Sequence, residues 1–155
     1  MRSIFVGVCI AVAAIAVFWV ESSPAATTPA AAIDKGARWL ASVQGADGGW
    51  GQDSGLSNGN DVANTAVAAL ALLRAGKQYD SNVERALAFL LKRVEASPAD
   101  GLAITDVQGT QIQMKLGPYI DTFLTSMLLA EVDGTFPKPA LNARIHLCFA
   151  NIRRQ

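Results

Sequence analysis

The stretch from Lys35 to Trp50 decides the fold, and it reads KGARWLASVQGADGGW. Its first half carries apolar residues at the three- and four-residue spacing of one helix face, which predicts a helix over 31–44. A glycine-rich loop over 45–60 follows this helix. This helix and its loop are the pattern that we look for again in the rest of the chain.

The second half of the stretch predicts a brace between neighbouring helices. Gln44 ends the helix, where its side-chain amide is expected to bond a loop carbonyl and a backbone N–H of the following helix. The two glycines after Asp47 predict a tight turn with positive φ, which glycine adopts at least cost. Trp50 is then expected to fold back over the Gln44 amide, which pins one helix end to the next hairpin.

Four more helices follow, separated by loops that contain glycine or proline. No segment shows the alternation of a strand, so the chain is predicted to be all-α. The limits of these helices come from N-caps, C-terminal glycines and prolines. The second helix is predicted to run from Asn60 or Asp61 to Gly76, and the third from the capping box Ser81-x-x-Glu84 to Pro98. The fourth is predicted to run from Pro118 to Gly134, and the fifth begins at Pro139.

The helices are related to one another as repeats. Residues 33–40 align with residues 83–90 at an offset of 50, and all but two of the aligned pairs keep their chemical character. Residues 64–67 align in the same way with residues 121–124, and both continue into apolar helix. Helix pairs that recur at a fixed period indicate a solenoid or a ring of α/α hairpins.

With every motif residue in place, the first stretch resembles the QW repeat of the terpenoid cyclase and protein prenyltransferase superfamily, which includes squalene–hopene cyclases. The resemblance covers residues 31–155. It implies α/α-hairpin repeats that form a partial α/α toroid, with inner and outer helices around an apolar cavity for isoprenoid chains. In that family the motif braces outer helices and performs no chemistry; its residues here are Lys35, Gly36, Trp39, Leu40, Gln44, Gly48 and Trp50.

The same resemblance implies which residues face the cavity. Two short segments look like the family's inner helices, and Asp121 is also expected to be a polar anchor near a helix N-terminus. For the aromatic residues Trp39, Trp50 and Phe89 we expect packing between hairpins. The residues expected to face the cavity are Asn64, Thr65, Asp121, Thr122 and Phe123.

The catalytic signatures of the superfamily are missing from this sequence. No D-x-D-D cluster is present to protonate a polyene, and a single carboxylate offers no evident strong acid. His146 and Cys148 lie about 200° apart on a helix, so they cannot chelate one metal ion together, and Cys148 is expected in the core. We therefore expect no metal and no cofactor, and the sequence favours a protein that is not an enzyme.

The composition limits the class of partner. The chain has 155 residues, enough for one domain, with 13 basic and 13 acidic residues. A neutral chain offers no basic face for phosphates, so nucleic acid is not expected as a partner.

The N-terminus carries a targeting pattern. Positive charge at the start, an apolar run over 4–20 and small residues before a cleavage site predict a signal peptide over 1–25. The competing interpretation is an uncleaved membrane anchor formed by residues 4–20. A linker over 26–32 and a repeat domain over 33–155 complete the predicted organisation, and either interpretation exports the domain to the periplasm or the outside of the cell.

Five helices make two and a half hairpins, fewer than a closed ring of this family contains. The sequence leaves three explanations open: a truncated gene product, a fragment of a longer ring, or a homo-oligomer that closes the ring between subunits. The leading hypothesis is an exported, non-catalytic binding or scaffold module for an apolar ligand, such as an isoprenoid, or for a protein partner. The alternative is a truncated fragment of an isoprenoid cyclase or prenyltransferase-like enzyme.

Overall fold

Six α-helices form the described part of the chain, which a computed structural model gives for residues 28–51, 61–98 and 101–153. The chain divides into two units, 1–32 and 33–155, and the fold below is that of the second. The predicted signal or anchor segment over 1–25 lies outside the described residues. The helices are α1 (Pro29–Ser42), α2 (Val62–Ala75), α3 (Asp80–Ala96), α4 (Gln111–Leu116), α5 (Ile120–Val132) and α6 (Pro139–Ile152), with a 3-10 turn at Lys77–Tyr79.

The all-α prediction is confirmed for the described residues. They contain no strand, and their only β-type pairing is an isolated bridge between Trp50 and Asp61. Within these ranges no helix combines the length and the apolar character needed to cross a bilayer.

Helix α1 begins earlier than the sequence pattern predicts. The Thr28 hydroxyl accepts a hydrogen bond from the Ala31 backbone N–H at 3.2 Å, and Pro29 occupies the first helical position, where its missing N–H costs nothing. Residues 29–32 of the predicted linker are therefore helical.

Helix α4 is a short element that periodicity does not predict. Thr110 and Gln113 form a capping box, since each side chain bonds the backbone of the other. By contrast, the predicted box at Ser81 does not open α3, which begins at Asp80 directly after the 3-10 turn. The fourth predicted helix starts at Ile120 and not at Pro118.

Two α/α hairpins, α2–α3 and α5–α6, pack side by side. Helices α2 and α5 run parallel, because Asp121 contacts the N-terminal turn of α2 while Arg74 and Glu131 pair at the other end. Helices α3 and α6 are parallel too, because Lys138 pairs with Glu84 near the N-terminal ends of both helices and Arg144 pairs with Glu95 further along. The Arg144 guanidinium meets the Glu95 carboxylate in two hydrogen bonds of 3.0 and 3.1 Å.

The core lies between these four helices. Helices α3 and α6 turn the same 4-3-4 spacing of apolar residues toward this core. Cys148 is buried, as is Phe89, in agreement with prediction. The equivalent positions are Val83, Leu87, Leu90 and Val94 on α3, and Leu141, Ile145, Cys148 and Ile152 on α6.

Candidate functional site: a groove beside a buried polar junction

An open groove of about 620 Å³ lies between α1, α2 and α4. This volume falls within the range of small-molecule sites, which span roughly 300–1,000 Å³. Its lining comprises Trp39, Leu40 and Val43 of α1; Trp50, Gly51 and Asp61 of the first loop; Asn64, Val67, Ala68 and Ala71 of α2; and Thr110, Gln111, Ile112, Lys115 and Leu116 of α4 with its N-cap.

The walls of the groove are apolar and solvent-accessible. Trp39 of α1 is 62% exposed and Leu116 of α4 is 64% exposed, and both line the groove. Val43 and Val67 extend this apolar surface. Large side chains that remain exposed around a concave surface mark a binding site more often than scattered surface residues do.

One end of the groove is set by the predicted brace. The Gln44 amide donates to the Gly48 carbonyl at 2.8 Å and to the Asn82 carbonyl at 2.9 Å. Its oxygen accepts from the Asn82 side chain at 2.8 Å and from the Arg85 guanidinium. The bond to a loop carbonyl is as predicted. The predicted bond to a backbone N–H of the following helix α2 is wrong, because the second backbone group that Gln44 meets is the Asn82 carbonyl of α3.

Gly48 allows the loop to approach α3 closely. Its φ is 92°, which favours glycine, and a Cβ at this position would collide with the Arg85 carbonyl oxygen. Position 48 therefore requires glycine for two independent reasons.

Trp50 joins α1 to the start of α2. Its side chain is only 6% exposed, and its indole N–H donates to the Leu40 carbonyl at 2.9 Å. Its backbone N–H donates to the Thr65 hydroxyl at 2.9 Å. The indole thus satisfies one of the carbonyls left over at the C-terminal end of α1.

Asp61 caps α2 and lines the groove. Its carboxylate accepts from the Asn64 backbone N–H at 2.7 Å and from the Asn64 side-chain amide at 2.6 Å. Burial raises the pKa of the Asp61 carboxyl, and the nearby Asp121 charge raises it further, against the hydrogen bonds from Asn64.

Asp121 reaches the same helix terminus from the second hairpin. Its carboxylate accepts from the Ala63 backbone N–H at 3.0 Å and from the Gln113 amide at 2.6 Å. The side chain is 2% exposed, so these bonds provide its solvation. Asp61 and Asp121 together line a small cavity of about 10 Å³.

The structure distributes the residues expected to face the cavity over three environments. Asn64 lines the groove. Thr65 and Thr122 are buried, and the Thr122 hydroxyl donates to the Leu102 carbonyl at 2.5 Å; Asp121 is buried in the junction. Phe123 is 63% exposed on α5, outside the residues that line the groove.

The residues of the predicted brace fall into two groups, one at the junction and one exposed to solvent. Leu40, Gln44, Gly48 and Trp50 meet at the junction, whereas Lys35 and Gly36 are exposed. Trp39 does not pack between hairpins as expected. Helix α1 buries the face that contains Ala37, and Trp39, two positions later, points about 200° away from it into the groove.

The sequence patterns missed two features of this site. The wall formed by α4 is absent from the prediction, although Thr110-x-x-Gln113 is a capping-box signature that marks it. The approach of Asp61 to Asp121 joins two hairpins, and neither residue belongs to a run of acidic residues. Among the described residues, no group of three His, Cys, Asp or Glu side chains is placed to hold a metal ion.

We expect Asp61→Asn to gain stability relative to the wild type as the pH rises from about 4 to about 7. The pKa of Asp61 is raised in the folded state, so its stabilising contribution is complete below the unfolded pKa of about 3.9 and is lost as the pH rises through the folded value. Asparagine retains an acceptor for the Asn64 N–H and caps helices as well as aspartate does. Urea unfolding of both proteins across this range measures the difference.

The control for this experiment is Asp106→Asn, which removes an exposed carboxylate from a loop. Its stability relative to the wild type should stay nearly constant over the same range. An Asp61→Asn variant that loses stability relative to the wild type between pH 4 and 7 would contradict the prediction.

The family model of the squalene-hopene cyclase C-terminal domain matches residues 6–104 of this chain. The chain belongs to this family. No curated protein and no solved structure gives a significant match. The family assignment agrees with the resemblance that the Lys35–Trp50 stretch indicated.

The family model covers only part of the residues that line the groove. It contains α1, α2 and α3, and therefore the whole Gln44–Trp50 junction. It ends before α4, which supplies the opposite wall of the groove. It begins within the segment predicted as a signal peptide or anchor.

Proposed function

We propose that this domain binds an apolar chain in the groove between α1, α2 and α4, without catalysis of its own. The observation that carries the proposal is the groove itself, whose lining includes the exposed side chains of Trp39 on α1 and Leu116 on α4. Exposing these side chains to water is unfavourable at about 25 cal/mol per Å² of apolar surface. A hydrocarbon chain that covers them recovers this free energy.

The hydrogen bonds of Asp61, the carboxylate in the groove lining, support the proposal that the site is not catalytic. Both oxygens of Asp61 accept hydrogen bonds from Asn64, so the side chain is committed to the first turn of α2 even though burial raises its pKa. A side chain held in this way serves α2 as an N-cap. It is poorly placed to deliver a proton to an apolar ligand.

We also propose that the two hairpins are consecutive units of an α/α toroid arc, with α2 and α5 as inner helices. The parallel pairs α2–α5 and α3–α6 support this arrangement, as do the exposed Val67, Phe123 and Met127 on the inner helices. The N-terminal pattern supports export of the domain. The mass of the exported chain, shortened by about 25 residues or intact, separates a cleaved signal from an anchor.

Binding can be tested with decan-1-ol and a variant that fills the groove. Ala71 is exposed and lines the groove, so Ala71→Trp should weaken decan-1-ol binding at least about tenfold in calorimetric titration, because the indole occupies the space of the chain. The matched control is Ala88→Trp at an exposed position on α3. Equal affinity for the Ala71→Trp variant and the wild type would show that the groove is not the site.

A further inference from the structure

We propose that the occupant of the groove is a single-chain amphiphile with a carboxylate head, and that the head contacts the Lys115 ammonium. The inference rests on the proposed function, because it names the ligand class of the same groove. Lys115 lies on α4, is exposed, and belongs to the lining of the groove. A cation at the edge of an apolar wall is the arrangement that an anionic amphiphile requires.

Lys115 is the one lysine or arginine among the residues that line the groove, and its charge is not compensated within the described part of the chain. No ion pair joins it to a carboxylate within residues 28–51, 61–98 and 101–153. Several other cations contact a carboxylate, so their charge is already compensated within the fold. These pairs are Arg38–Asp34, Arg74–Glu131, Lys138–Glu84 and Arg144–Glu95.

The carboxylate of the groove does not offset this charge toward a ligand. Asp61 is 8% exposed, and its two oxygens are engaged by Asn64. A cationic head group would have to displace a helix cap in order to reach it. The accessible charge in the groove is therefore positive, which selects an anionic head over a cationic one.

The number of charges selects among anionic heads. One lysine matches the single negative charge of a carboxylate, whereas a phosphate or diphosphate head carries more charge and is held by several cations or by a bidentate arginine. No arginine belongs to the lining of the groove. The remaining lining is mostly apolar and suits an unbranched or branched hydrocarbon chain equally well.

The test compares decyl compounds that share a chain and differ in the head group. With the full chain, we expect decanoate to bind about 3- to 10-fold more tightly than decan-1-ol in calorimetric titration at pH 7 and low salt. Lys115→Gln should remove this preference and leave the affinity for decan-1-ol unchanged. Lys92→Gln, which removes an exposed lysine on α3, should keep it.

Three further outcomes separate this inference from the proposed function. Shortening the ligand to octanoate should weaken binding roughly fourfold per methylene removed. Equal affinity of the wild type for decanoate and decan-1-ol would overturn the carboxylate assignment and leave the groove as an apolar site. Absence of binding by either compound would overturn both proposals.

The identity of the occupant is tested by the remaining arms. Tighter binding of decyltrimethylammonium or of decyl phosphate than of decanoate would overturn the carboxylate head. Sedimentation experiments test whether a second copy of the chain occupies the groove. If the wild type is a dimer, if decanoate leaves this dimer intact and if Ala71→Trp abolishes it, a second copy is the occupant and the proposal is overturned.

Discussion

Trp50→Ala should lower the free energy of unfolding by about 3–5 kcal/mol, one of the two largest effects that we expect from a single substitution in this domain. The side chain is 6% exposed, so its removal leaves a cavity between α1 and the start of α2. It also removes the donor to the Leu40 carbonyl at 2.9 Å. Urea unfolding followed by circular dichroism measures the effect, and the Tm should fall by about 10 °C or more.

Trp39→Ala is the matched control, since it truncates the same residue type on the adjoining helix. Trp39 is 62% exposed, and we expect a change within about 0.5 kcal/mol. Trp50→Phe separates the two components of the larger effect, because it retains most of the packing and loses the indole donor, at a cost of about 1 kcal/mol. Equal stability of the Trp50→Ala and Trp39→Ala variants would refute the role of Trp50 as a link between α1 and α2.

Asp121→Ala should destabilise the fold by about 3–5 kcal/mol. The substitution leaves two buried N–H groups without an acceptor, the Ala63 backbone N–H and one of the two N–H groups of the Gln113 amide. The other Gln113 N–H still donates to the Val107 carbonyl at 3.0 Å, and each unsatisfied buried donor costs about 1–3 kcal/mol. Asp121→Asn should be intermediate. It still accepts from Ala63 but presents its own amide to the Gln113 amide, whose oxygen is already engaged by the Thr110 N–H.

Asp133→Ala provides the control for Asp121, since it removes an exposed carboxylate at the other end of α5. We expect it to change stability by less than about 0.5 kcal/mol, because a surface pair such as Asp133–His146 contributes little. If Asp121→Ala were as stable as Asp133→Ala, the buried junction would have no energetic role.

The helices with apolar spacing could be predicted from the sequence, because each buries one face against a neighbour. Val83, Leu87 and Leu90 repeat every three or four residues, and this is the signal that local patterns contain. Helix α4 has six residues, too few for such a period. The capping box formed by Thr110 and Gln113 was the sequence signal for α4. This signal is weak, because Thr and Gln occur at this spacing by chance in many sequences.

The site was less accessible to sequence reasoning because its parts come from distant positions. The resemblance placed Gln44 and Trp50 in a junction, and the structure brings both there. The same reasoning assigned Gln44 to the following helix α2, which is wrong, because Gln44 bonds Asn82 of α3. Position along the chain does not reveal that Asp61 and Asp121, 60 residues apart, reach one helix terminus, nor that Trp39 points into a groove whose other wall is α4.

The bond from the Ala63 N–H to Asp121 has a consequence for the order in which the chain folds. Helix α2 is complete in sequence by residue 75, but one donor of its first turn is satisfied by a residue 58 positions later. During synthesis the first hairpin therefore has an unfinished end until α5 emerges from the ribosome. Nascent chains stalled before residue 121 and after the second hairpin should differ in protease resistance at α2, since the Ala63 N–H gains its acceptor only when Asp121 packs against it.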